Sequence, residues 1–402
     1  MDAIDRALDD IVKIFIDGVI RARASAWFNE VESGIYLAAL FDLCATGLYT
    51  NGLQKSAEFV SDAVVCDETQ AFFPLTWMCP HCVAKGKPLD ECYLPDAVRK
   101  AEPRGSFPFK DYPRVERLAK PGGRAIGDFG IKILKAILRG VFLKTAPEIV
   151  MRDGGGIRGE FDLTFASEQH LIFGEVKAKP LIVYPLRIGL SAAPSLGGHR
   201  WHRISARDAK DMTIYLAASD YHLPITPPTV LDSDVWPLPQ LATLLGDPNH
   251  LETIVQNWKL HLDRYRAWVN EPRDTRWHRF GCGNFSVRED GVSVEKRVAN
   301  TKELPGLDRT DDVKKGMAQL LRFARYKHDC PQRAISCVLI GNTHAETHAA
   351  EYVDPVVTLK IMRDGQDTHP VWLFDAIIGF TRNDINNPGL HSIFDLSRVF
   401  RQ

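Results

Sequence analysis

The most informative segment of the chain is residues 160–177, Glu-Phe-Asp-Leu-Thr-Phe-Ala-Ser-Glu-Gln-His-Leu-Ile-Phe-Gly-Glu-Val-Lys. Its two halves, residues 160–165 and 170–177, are rich in aromatic and aliphatic side chains, as β-strands are. The polar residues 166–169 separate them. Two short apolar runs joined by a few polar residues are typical of a β-hairpin. The stretch therefore predicts two paired strands.

Two carboxylates and a lysine lie on this predicted hairpin. Asp162 is followed, after twelve intervening residues, by Glu175-Val176-Lys177. Side chains alternate between the two faces of a strand, so Glu175 and Lys177 share a face, and pairing would bring Asp162 beside Glu175. Neighbouring carboxylates repel each other unless a cation lies between them. A small set of oxygen ligands suits Mg²⁺, which also binds phosphate, so the pattern indicates metal-assisted phosphodiester hydrolysis.

The pattern Asp162…Glu175-Val176-Lys177 resembles the signature of the PD-(D/E)xK nuclease superfamily, which includes many type II restriction endonucleases. Phe161 stands where the superfamily's name has proline, at a position that varies among such families. The resemblance implies that Asp162, Glu175 and the main-chain carbonyl of Val176 bind Mg²⁺, and that Lys177 orients the attacking water. It also implies a further acid near the preceding helix, for which there are three candidates: Asp128, Glu148 and Glu160.

The order of predicted elements agrees with the restriction-endonuclease-like α/β core that the resemblance implies, a mixed central sheet flanked by helices. That core contains a helix, a three-stranded meander with the acids, a second helix and a further strand. Hydrophobic spacing and turn signals predict elements at residues 125–143, 160–165, 170–177, 311–326 and 334–340. The resemblance adds the first strand of the meander, near residues 148–152. By the same resemblance, Gln319 on the second helix is a candidate residue near the metal or the phosphate. The alternative for this polar helix face is ordinary contact with solvent.

A cluster of four cysteines precedes this core. Cys66, Cys79, Cys82 and Cys92 lie within 27 residues, and the sequence Cys-Pro-His-Cys at residues 79–82 is typical of a zinc-ribbon knuckle. We predict one structural Zn²⁺ bound by the four thiolates. The alternatives are an iron or iron–sulfur site, a site in which His81 replaces one cysteine, and buried free thiols.

Two basic-aromatic stretches, residues 199–203 and 273–279, lie within a large insertion in the predicted core, residues 180–310. Arginine suits both phosphate and the guanine edge in the major groove of DNA. Ordinary surface packing is the alternative. The candidate DNA contacts are four arginines: Arg200, Arg203, Arg276 and Arg279.

The composition is that of an ordinary globular protein. The 402 residues are 45% hydrophobic and 25% charged, which excludes a chain that is disordered, collagenous or coiled-coil as a whole. The formal charge of −1 means that an anionic partner must meet a local basic patch. The apolar stretch Ile35–Tyr49 is interrupted by Asp42, which argues against a membrane span, and the N-terminus is acidic where a signal peptide is basic. We therefore expect a cytoplasmic protein.

These observations predict an N-terminal helical region, residues 1–124, with the metal module at about 64–94, and a nuclease domain, residues 125–402. The expected activity is Mg²⁺-dependent, sequence-specific cleavage of double-stranded DNA. A homodimer is expected because two copies of one site can cut both strands of a palindrome. The alternatives are a structure-specific repair or recombination nuclease of the same superfamily and a non-catalytic zinc-containing DNA-binding protein.

Overall fold

The computed structural model describes residues 2–54, 63–66, 72–74, 123–153, 161–184, 186–189, 201–204, 213–218, 221–226, 234–270, 304–308, 310–330, 334–362 and 370–401. Within them the α-helices are α1 Ala3–Arg21, α2 Ser33–Gln54, α3 Gly123–Thr145, α4 Leu238–Leu245, α5 Pro248–Asn270, α6 Thr310–Asp329 and α7 Asp354–Val357. The strands are β1 Ala63–Cys66, β2 Phe72–Pro74, β3 Val150–Asp153, β4 Leu163–Ala166, β5 His170–Val176, β6 Leu186–Gly189, β7 Trp201–Ile204, β8 Thr213–Ala218, β9 Tyr221–Thr226, β10 Ala334–Gly341, β11 Lys360–Ile361, β12 Val371–Trp372, β13 Ala376–Gly379 and β14 Arg382–Ile385. A π-helical turn spans Ala349–Val353, and short 3₁₀ turns span Ala22–Ala24, Glu30–Glu32, Gly306–Asp308, Pro388–Leu390 and Leu396–Phe400.

The chain forms two compact units. Unit 1 contains Met1–Phe15, Asp42–Ala125 and Ile182–Asn300, and unit 2 contains Ile16–Phe41, Ile126–Leu181 and Thr301–Gln402. The predicted insertion, residues 180–310, thus falls mainly in unit 1. The elements predicted around the two acids fall in unit 2.

Unit 2 contains a six-stranded mixed sheet with the strand order β14-β13-β10-β5-β4-β3. Strands β3, β4 and β5 form an antiparallel meander, whereas β10 pairs in parallel with both β5 and β13. A parallel pair needs a crossover connection, and α6 lies in the connection between β5 and β10. The predicted α/β architecture with a mixed central sheet is therefore confirmed, as are the helices and strands predicted for the core.

Helices cover both faces of this sheet. Phe165 on β4 pairs with Ile172 on β5, and its ring meets Phe142 of α3 with the ring centroids 5.3 Å apart. Phe173, the next residue on β5, faces the opposite side because side chains alternate along a strand. Its ring centroid lies 5.8 Å from that of Phe323 on α6. Glu175, two residues further along β5, therefore lies on the face that α6 covers.

Unit 1 contains a four-stranded antiparallel sheet, β2-β6-β8-β9, and a separate two-stranded ribbon of β1 and β7. Its core includes a fully buried acid, Asp42. One carboxylate oxygen of Asp42 accepts hydrogen bonds from the main-chain N–H of Ile182 and from Nε1 of Trp258, each at 2.8 Å. These bonds compensate for part of the cost of burying the carboxylate.

The segment Glu30–Asn51 is long and apolar enough, by length and composition alone, to cross a membrane. However, 83% of its most apolar window is buried within the protein, as in the core helix of a soluble protein. This finding gives only weak evidence for a membrane span.

Three predictions for the C-terminal region were wrong in detail. The apolar runs at residues 356–362 and 371–380 predict one strand each, and the sequence predicts a C-terminal helix from about His391. Instead, α7 ends at Val357, with Pro355 in its first turn, and the strand in this stretch is limited to β11, Lys360–Ile361. Residues 371–380 form two strands, β12 and β13, interrupted before residue 376. After His391 the chain makes a 3₁₀ turn at Leu396–Phe400, and the described residues contain no α-helix there.

Candidate active site at the end of strand β5

The two acids are brought together by the hairpin of β4 and β5. Leu163 lies opposite Gly174 in the antiparallel register, so the next pair outward is Asp162 and Glu175. The turn is stabilised by Ser167, whose Oγ accepts a hydrogen bond from the main-chain N–H of His170 at 3.0 Å. The predicted hairpin is thus confirmed, and its register is set by local interactions.

The three predicted side chains and one main-chain carbonyl lie together. Asp162 Oδ2 accepts a hydrogen bond of 2.8 Å from the main-chain N–H of Val176. Lys177 Nζ donates to Glu175 Oε1, and also to the carbonyl oxygen of Val176 at 3.2 Å. Since Val176 N–H already holds Asp162, the Asp162 carboxylate is fixed beside the strand that presents Glu175 and Lys177.

Glu175 is buried, with only 1% of its surface exposed, and Lys177 is 17% exposed. Burial raises the pKa of Glu175 from its ordinary value of 4.5 to about 7. The Lys177 ammonium group opposes this change, while the neighbouring Asp162 carboxylate adds to it. Glu175 Oε2 has no hydrogen-bond partner among the described residues. A nearby cation would strongly stabilise the ionised form of a carboxyl group in this position.

The donor set fits Mg²⁺. This ion keeps several waters and is usually held by one or two carboxylates, which is what Asp162 and Glu175 offer. In the part of the chain that the structure describes, no group of three or more His, Cys, Asp or Glu side chains surrounds a common point. Of the candidate third acids, Asp128 and Glu148 are exposed and make no described contact with the pair, and Glu160 lies outside the described residues.

Hydrogen bonds to β10 and to the residue after it hold the segment around Lys177 in place. The main-chain N–H of Lys177 donates to Ile340 O at 2.8 Å. Two residues further on, the N–H of Lys179 donates to Oδ1 of the fully buried Asn342, also at 2.8 Å. The Asn342 side chain therefore continues the hydrogen-bond ladder beyond β10 itself. Sequence analysis missed this residue, although a polar residue directly after a buried strand was a usable signal.

Helix α6 is attached directly beside both acids. Phe161, which precedes Asp162, stacks on Phe173 with the ring centroids 4.4 Å apart, and Phe323 of α6 packs against both rings. Gln319 is half-buried, one turn before Phe323. No hydrogen bond joins its side chain to the acids or to Lys177 in the described structure, so its role stays a prediction.

The remaining candidate residues lie wholly or partly outside the described residues. Six of the predicted metal and DNA ligands lie outside the described residues: Cys79, Cys82, Cys92, Arg200, Arg276 and Arg279. Only the backbone is described at Cys66 on β1 and at Arg203 on β7. These strands pair antiparallel, with Cys66 opposite Trp201 and Val64 opposite Arg203. The first cysteine of the predicted zinc module and one basic-aromatic stretch thus share a two-stranded ribbon.

No protein-family profile, no curated protein and no solved structure matches this chain.

Proposed function

We propose that this chain is a Mg²⁺-dependent endonuclease of the PD-(D/E)xK superfamily that hydrolyses phosphodiester bonds in double-stranded DNA at specific sequences. The observation that carries the proposal is the arrangement at the end of β5. A buried Glu175 is held by Lys177 and lies opposite Asp162 across the hairpin. The meander β3-β4-β5, followed by α6 and the parallel strand β10, supports the assignment to a restriction-endonuclease-like core.

Each residue has a separate part in the proposed reaction. Asp162, Glu175 and the carbonyl of Val176 would hold Mg²⁺, which supplies charge stabilisation at the phosphate and lowers the pKa of water. Glu175 must lose its proton first, since only the carboxylate attracts a cation. Lys177 Nζ, positioned by its contact with Glu175, donates a hydrogen bond that orients the attacking water toward phosphorus.

The rest of the chain would supply recognition. We assign a structural Zn²⁺ to the four cysteines Cys66, Cys79, Cys82 and Cys92, and DNA contacts to the basic-aromatic stretches of the insertion. A homodimer would place one site on each DNA strand. Metal analysis of the purified protein tests the zinc assignment, because one Zn²⁺ per chain is expected and iron would contradict it.

A cleavage assay tests the activity. Purified full-length protein is incubated with mixed-sequence phage DNA in Mg²⁺ and in EDTA, beside the Lys177→Ala variant. The matched control is Lys13→Ala, which removes an exposed lysine from α1. We expect discrete bands that require Mg²⁺, disappear with Lys177→Ala and persist with Lys13→Ala.

Other outcomes would redirect or overturn the proposal. Cleavage of branched substrates alone would favour a structure-specific repair or recombination nuclease. DNA binding with no cleavage of any substrate would overturn the enzymatic proposal and favour a non-catalytic zinc-containing binding protein. Bands that persist with Lys177→Ala would contradict the role of that lysine.

A further inference from the structure

Two exposed cations lie on the outer side of helix α6. Lys315 and Arg322 are seven residues apart and exposed, and neither makes an ion pair in the described structure. The adjacent Lys314 differs, because its Nζ lies 5.5 Å from the ring centroid of Tyr352. Residues 314 and 315 are about 100° apart around a helix of 3.6 residues per turn. The two lysines therefore present their charges in different directions.

No acidic residue lies one turn away from Arg322 on α6. Residues three and four positions away on a helix are its neighbours. For Arg322 none of these is acidic: they are Ala318, Gln319, Arg325 and Tyr326. Lys315 has Asp311 and Asp312 one turn before it, so Arg322 is the stronger of the two cationic positions.

The same helix is anchored at the candidate active site. Arg322 directly precedes Phe323, whose ring packs on Phe161 and Phe173. Phe161 directly precedes Asp162, and Phe173 lies two residues before Glu175. Seven residues of α-helix span about 10 Å at roughly 1.5 Å per residue. Lys315 and Arg322 are thus far enough apart to meet different phosphates of one DNA strand.

We propose that Lys315 and Arg322 form a phosphate-binding surface on α6 that holds the DNA backbone beside the candidate active site. The partner is duplex DNA, recognised through its phosphates and without regard to base sequence. The inference rests on the proposed function, since the acid pair supplies the reason for DNA to lie at this face. It adds to that function a positioning surface formed by the core helix and separate from the insertion.

Salt-dependent DNA binding tests the proposal. Binding of fluorescent duplex DNA to the full-length protein is measured by anisotropy in EDTA, which prevents cleavage, over a range of salt concentrations. Each phosphate contact contributes about 0.9 to the slope of log K against log salt. We expect Arg322→Ala and Lys315→Ala each to reduce the magnitude of the slope by about 0.9. The matched control Lys314→Ala removes the same charge from the same turn and should leave the slope unchanged.

The outcomes separate this inference from the proposed function. A wild-type protein that binds and cleaves DNA, with the same slope in all three variants, would overturn the inference and leave the nuclease proposal intact. An equal loss of slope in Lys314→Ala would also overturn it, because the effect would then be one of net charge alone. A wild-type protein that neither binds nor cleaves DNA would overturn both. Thermal melts of each variant check that it is folded.

Discussion

Replacing Glu175 by glutamine is expected to stabilise the metal-free protein above neutral pH. The folded chain binds the Glu175 proton more tightly than the unfolded chain does, because burial raises the pKa from 4.5 to about 7. Stability must therefore fall as pH rises from 4.5 through about 7, and level off above that range. At about 1.4 kcal/mol per pKa unit, the full cost is about 3 kcal/mol. Glutamine carries no charge at any of these pH values and avoids this cost.

Chemical denaturation in EDTA at several pH values measures the effect. We expect Glu175→Gln to exceed the wild type in free energy of unfolding by up to about 3 kcal/mol at pH 8.5, and by little at pH 4.5. Asp162→Asn should give a smaller gain, because the Asp162 charge contributes to the raised pKa of Glu175. Glu168→Gln, an exposed change on the same hairpin, is the control and should have little effect. A variant at position 175 that is no more stable than the wild type at pH 8.5, or equally more stable at both pH values, would refute the reasoning.

Three further predictions concern packing, a buried ion pair and metal binding. Asp375→Ala should destabilise the chain by about 3–5 kcal/mol in denaturant unfolding, because it leaves Lys327, whose side chain is 5% exposed, without its buried counter-ion; a cost below 1 kcal/mol would contradict this. Gly34→Ala should be strongly destabilising, since its Cβ would clash with the backbone carbonyl oxygen of Phe380. Gly127→Ala in α3, where a Cβ meets no atom within 4 Å, should instead stabilise by up to about 1 kcal/mol, and equal effects of the two changes on the melting temperature would refute the packing argument. Saturating Mg²⁺ should raise the melting temperature at pH 8 and lose this effect by about pH 5.5, because a proton and the cation compete for Glu175; an effect independent of pH would rule out this carboxylate as a ligand.

The core elements were predictable because their signals are local. The apolar spacing of residues 125–143 and 311–326 matches the 3.6-residue period of a helix, and the structure has α3 at Gly123–Thr145 and α6 at Thr310–Asp329. The hairpin of β4 and β5 was predictable for the same reason, since its strands are adjacent in sequence and joined by a short polar turn.

Elements with distant partners were not predictable. Strand β2, at Phe72–Pro74, pairs with β6, at Leu186–Gly189, more than a hundred residues away in the sequence. Both strands are very short, so neither carries enough alternating pattern to be distinguished from a loop. The same applies to β11, which has two residues and depends on its pairing with β12.

The candidate site also combines features that local sequence predicts with features that depend on distant parts of the chain. Hairpin pairing and strand alternation were enough to predict that Asp162 lies beside Glu175 and that Lys177 shares the face of Glu175. The burial of Glu175 and its raised pKa of about 7 follow instead from the tertiary structure. The same holds for the hydrogen bond from Lys179 N–H to Asn342, which joins residues 163 positions apart in the sequence. Burial and such long-range hydrogen bonds depend on which distant elements pack around the hairpin, and no local pattern encodes that choice.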